Sequence, residues 1–65
     1  MQKLRPGQFV VRCEAIAQGC GFRAHGDTPE EATQRLMAHA KDDHGMALTT
    51  DVITRARSAV RDESD

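Results

Sequence analysis

Between polar Gln8 and Arg12 runs an apolar stretch in QFVVRC, residues 8 to 13, that is rich in Phe and Val. That pattern predicts a strand with Phe9, Val11 and Cys13 on one face and Val10 and Arg12 on the other. Pro6-Gly7 ahead of it marks a turn or a sheet edge. After EAIAQ, the cysteine of Gly19-Cys20-Gly21 sits in a tight turn, and FRAH, residues 22 to 25, predicts a second strand. There Cys20, Phe22 and Ala24 share one face, and Arg23 and His25 take the other. The period then changes. In DTPEEATQRLMAHAKDDHG, Thr28 is placed as N-cap, Pro29 at the first helical position, Glu31 as the second half of a capping box and Gly45 beyond the end. A helix is predicted from Pro29 to about Asp43, with Ala32, Leu36, His39 and Ala40 turned toward the hairpin. Thr49 or Thr50 caps a second helix, whose apolar side is Val52, Ile53, Ala56, Ala59 and Val60, with Arg55, Arg57 and Arg61 in water. The acidic end, Asp62 to Asp65, reads as frayed. The expectation is an α+β single domain over 1–65, ordered from about 8 to 61: a β-hairpin plus helix, ββα, followed by a short C-terminal helix.

Size limits what burial can do for such a chain. At 65 residues the surface is large relative to the interior, and the large apolar residues, from Leu4 to Val60, are few. A staple is expected: a disulfide, a metal or a partner chain. Nine Lys+Arg against ten Asp+Glu leave a net charge of -1, with no basic excess to advertise a nucleic-acid or anionic-membrane partner. The opening Met1-Gln2-Lys3-Leu4-Arg5-Pro6 lacks the apolar run of a secretory signal, and no stretch approaches membrane-spanning length. The expectation is a cytoplasmic protein with no membrane partner. In a reducing cytosol a disulfide between Cys13 and Cys20 is disfavoured and thiolate ligation is ordinary, so the expected staple is zinc.

Two thiolates from a hairpin and two imidazoles from the helix after it supply the tetrahedral donor set zinc prefers. Cys13 and Cys20 have six residues between them, eighteen more separate Cys20 from His39, and four separate His39 from His44. Phe22 and Leu36 fall where a two-Cys, two-His finger keeps its small core, which makes the predicted unit zinc-finger-like. The five-residue step between the histidines is awkward: on an ideal helix it turns His44 roughly 140° away from His39. A tightened or loosened last turn before Gly45 is required, and both longer spacings exceed those of the common finger. Other readings stay open. The cysteines could be small buried hydrophobes, His39 a satisfied core histidine, and His44 a helix C-terminal cap. His25 could replace a ligand, although strand alternation points it away from Cys20. Met37 and Met46 read as packing, and Glu30-Glu31 as helix-start charge.

A cysteine after the first strand, Gly19-Cys20 before the second, the Thr28-x-Glu30-Glu31 helix start and the His39-Ala40-x-x-x-His44-Gly45 ending together resemble a known family. It is the domain-of-unknown-function family 1059, short bacterial and archaeal proteins described as predicted small metal-binding proteins. The likeness runs from about Phe9 to Val60. It implies Cys13, Cys20, His39 and His44 as metal ligands and brings no activity with it.

The leading expectation for function is a non-catalytic, zinc-stabilised module that acts by protein–protein interaction. Its candidate surfaces are the Arg55, Arg57 and Arg61 stripe and the acidic first helix. The alternative is finger-like nucleic-acid binding through the basic last helix. Charge disfavours it, because residues 27 to 44 hold Asp27, Glu30, Glu31, Asp42 and Asp43 against Arg35 and Lys41, a sign that phosphates repel. With no Tyr or Trp there is also little to stack on bases. An enzyme is not expected and no catalytic residue is assigned. The cysteines lack dithiol redox spacing, and nothing forms a nucleophile arrangement with the histidines.

Overall fold

A computed structural model of the chain describes residues 7–63; Leu4, Pro6, Ser64 and Asp65 lie outside the described residues. The elements are β1 (Phe9–Arg12), β2 (Arg23–Gly26), α1 (Pro29–His44), α2 (Thr50–Ser58) and β3 (Arg61–Asp62), with a short 3-10 turn at Cys13–Ala15 between the first two strands. The strands form an antiparallel sheet in the order β2-β1-β3, so the fold is α+β.

Alternation along β1 and β2 fixes which side of the sheet is covered. Val11, Cys13 and Ala24 face Ala32, Leu36 and Met37 of α1 and Ala56 of α2 in one buried cluster. Leu36, Val11 and Cys13 are its largest fully buried side chains, so a prospective metal ligand is itself a principal core residue. Close approach of α1 to the hairpin depends on Gly26. A Cβ there would lie 2.4 Å from the backbone nitrogen of Ala32, closer than any side chain tolerates.

The helix starts follow their local signals. Thr28 Oγ1 accepts from the Glu31 N–H at 3.0 Å, and the Glu31 carboxylate accepts from the N–H of Asp27 at 2.6 Å, one residue earlier than the standard box. Pro29 opens the helix, and Gly45 closes it in the left-handed conformation at φ 59°. At α2, Thr49 is the N-cap, accepting from the Val52 N–H at 3.3 Å.

Four expectations need correction. Phe22 is not core: it precedes β2 and is 39% exposed, because the space between hairpin and helix at that end is taken by cysteine and histidine side chains. Ile53, also predicted to be buried, is 41% exposed. The core-facing arc of α2 is narrow, with Ala56 buried and Val52, Ala59 and Val60 packed against the cluster. The residues after α2 are not all frayed. Arg61–Asp62 form β3, paired with Phe9 and Val10, and the Glu63 N–H donates to the Gln8 carbonyl at 2.8 Å. Without that short return strand the second edge of β1 would leave backbone groups unpaired. Finally, Arg55, Arg57 and Arg61 do not form a stripe, since Arg61 lies on β3 and Arg57 pairs with Glu30 of α1 at 2.8 Å. Among the described residues, no helix is long and apolar enough to cross a membrane.

Candidate metal centre

The donor side chains are delivered in two pairs, the cysteines by the turn after β1 and the histidines by the end of α1. Cys13 follows β1 directly, held where its N–H donates to the Phe22 carbonyl at 2.9 Å and its own carbonyl accepts from Ile16 and Ala17. Cys20 closes the same turn, donating its N–H to the Ala17 carbonyl at 3.2 Å. His39 and His44 come from the last turns of α1. The structure brings these four together, their ligand atoms all lying within 4.8 Å of one another. Both cysteines are free thiols. His25 is not part of the group, since its Nδ1 lies 3.3 Å from the Gly7 carbonyl.

Two features resolve the awkward histidine step. The last turn of α1 is loosened: the Ala40 carbonyl takes the N–H groups of both Gly45 and Met46, five and six residues on, instead of the usual four. Both rings also present Nε2, the nitrogen farther from the backbone, so side chains leaving the helix in divergent directions still converge. The His39 and His44 rings meet edge to face with centroids 5.1 Å apart.

The dimensions suit a tetrahedral ion. Metal–sulfur bonds of about 2.3 Å and metal–nitrogen bonds of about 2.0–2.1 Å set a sulfur–nitrogen edge of about 3.5–3.6 Å. Here Cys13 Sγ lies 3.5 Å from His44 Nε2, Cys20 Sγ lies 3.3 Å from His39 Nε2, and His44 Nε2 is also 3.4 Å from Cys20 Sγ. One ring nitrogen has a single in-plane lone pair or N–H, so it cannot address two sulfurs in line. A cation held between them would satisfy both distances. The donor set, two sulfurs and two imidazole nitrogens, is the chemistry that soft and borderline divalent ions select.

Electrostatics point the same way. The Cys20 thiol is held down to about 6, first by the backbone N–H of Phe22 and then by hydrogen bonds from Cys13, His39 and His44. Cys13 is pushed up to about 11, chiefly by burial and then by its neighbour Cys20. Two sulfurs this close share one negative charge; a second thiolate is relieved by a dication.

Around the donors stand two residues whose role the sequence reading missed. Asp43 Oδ2 lies 3.2 Å from His39 Nδ1. Accepting the Nδ1–H fixes the tautomer that leaves the Nε2 lone pair free. The i,i+4 spacing of His39 and Asp43 was the available signal. Phe22 lies flat on the His39 ring, centroids 3.9 Å apart and planes 6° from parallel, which restricts the ring's rotation and shields one side of the site.

Comparison with known families gives a match. The model of a family described as "Protein of unknown function (DUF1059)" covers residues 8–62. No curated protein and no solved structure matches the chain. The matched span contains all four donor residues and every described strand and helix, and the chain belongs to the DUF1059 family.

Proposed function

We propose that this protein is a small, non-catalytic zinc module that works by presenting a surface to another protein. The observation that carries the reading is the convergence of Cys13, Cys20, His39 and His44, with all four donor atoms within 4.8 Å. Zinc is favoured among divalent ions because mixed thiolate and imidazole donors at tetrahedral spacing are its common structural set. A four-donor protein set is closed, leaving no position for water or substrate, and that supports a structural role over a catalytic one. The meagre core supports it too. Beyond Leu36 and the valines, most buried apolar residues are alanines, and a domain this small needs a further restraint. A reducing cytoplasm, in which both cysteines remain available as thiolates, is the compartment that suits the site.

Native mass spectrometry and elemental analysis of protein purified from cells without added metal test the reading. The expected result is one zinc per chain. Removal by a strong chelator is expected to abolish the far-ultraviolet circular dichroism signal of the fold, and zinc to restore it. A metal-free preparation that still melts cooperatively would overturn it.

A further inference from the structure

The side of the sheet turned away from the helices carries an arginine from each strand: Arg12 ends β1, Arg23 opens β2 and Arg61 opens β3. Alternation sets Arg12 opposite to Val11 and Arg23 opposite to Ala24, while Arg61 is paired with Val10 and shares its side. Arg12 and Arg23 are direct cross-strand partners. Because the adjacent Cys13 N–H donates to the Phe22 carbonyl, Arg12 and Arg23 are a non-hydrogen-bonded pair, in which side chains stand closest. Like charges in that relation destabilise a sheet.

Two other arginines, Arg35 and Arg57, are neutralised, the first by Glu31 at 3.4 Å and the second by Glu30 at 2.8 Å. Among the described residues, no carboxylate lies within ion-pair distance of Arg12, Arg23 or Arg61, and all three are exposed. They surround a depression of about 260 Å³ with Val10, Ala15 and Ala59 in its lining. That is smaller than the roughly 300–1,000 Å³ of small-molecule pockets, and it suits a few side chains of an extended segment. A local arrangement that opposes stability without an internal compensation is expected where a ligand supplies it.

We infer that this face of the sheet docks an extended acidic segment of a partner protein, one that turns a carboxylate toward the sheet at every second residue. The inference rests on the proposed role as an interaction module and names its surface. Guanidinium forks match carboxylates in paired hydrogen bonds, and the side chains between the carboxylates point away from the sheet. The lining holds no aromatic ring for a base to stack on, which favours such a segment over nucleic acid.

The test uses the zinc-loaded full chain and a fluorescein-labelled peptide of alternating glutamate and valine, followed by fluorescence anisotropy at low and moderate salt. Saturable, salt-weakened binding is expected, at least about tenfold tighter than for an alternating lysine–valine peptide or a single-stranded oligonucleotide. Arg23→Glu should weaken it about tenfold or more, and Arg23→Gln by less, with one zinc per chain retained and Tm not lowered, since the Arg12–Arg23 repulsion is removed. Absence of saturable peptide binding, unchanged binding by Arg23→Glu, or tighter binding of the oligonucleotide overturns the inference. Zinc content is measured on the same samples, so peptide binding that fails while zinc stays bound counts against the docking face alone.

Discussion

His39 reaches the donor group from a ring held on two sides, by the Asp43 carboxylate at 3.2 Å and by the face of Phe22. Removing the charge of the acceptor while keeping its shape tests the first restraint. Asp43→Asn is expected to weaken metal affinity by roughly 10–100-fold in chelator competition, with helix content unchanged. Titration of the thiols gives a second expectation. Cys20 is held down to about 6 in the fold, against an ordinary thiol value of 9.0. An unfolded chain therefore binds more protons than the folded one between those values, and stability falls as pH drops from about 9 to about 6. Burial pushes Cys13 up to about 11 without an ion; ligation as a thiolate displaces that proton too, so acid that returns it releases the metal and adds to the loss of stability. Thermal melts of the zinc-loaded protein across this range should show Tm decreasing with acidity; a flat profile would contradict the assignment. Residue type, spacing and family likeness singled out the four residues that the structure brings together. The roles of Phe22 and Asp43 were not legible, because they depend on where the His39 ring comes to rest.

At the scale of elements, α1 was readable nearly to the residue because its signals are local: Thr28 and Pro29 start it, Gly45 stops it, and none depends on the rest of the chain. β3 was invisible for the opposite reason. Two residues carry no alternation, and what makes Arg61–Asp62 extended is the free edge of β1, as the 54-position separation of the hydrogen-bonded Gln8 and Asp62 illustrates. The end of α1 was seen only as a requirement, a last turn that must loosen or tighten. Gly45, at φ 59°, permits the loosened form. Gly45→Ala is expected to cost about 1 kcal/mol, lowering Tm by roughly 4–8 °C. It should also weaken metal binding, because the turn that positions His44 is disturbed; chelator competition beside the melt separates the two effects.

Across the whole molecule, a core dominated by small residues is joined to a donor group drawn from two parts of the chain. Cys13 belongs to both, fully buried in the cluster and 3.5 Å from His44 Nε2. Loss of the ion should therefore be felt throughout, whereas loss of β3 should not be. A chain ending at Ala59 is expected to melt at lower temperature, having lost the pairing of β1 with Arg61 and Asp62. It should still bind one zinc in native mass spectrometry, since the four donors span only residues 13 to 44. That distribution has a consequence for the order of assembly. The complete grip for an ion lies within residues 13 to 44 and needs neither α2 nor the closing strand. Capture can precede their docking, so that they are laid onto a hairpin and helix already clamped together.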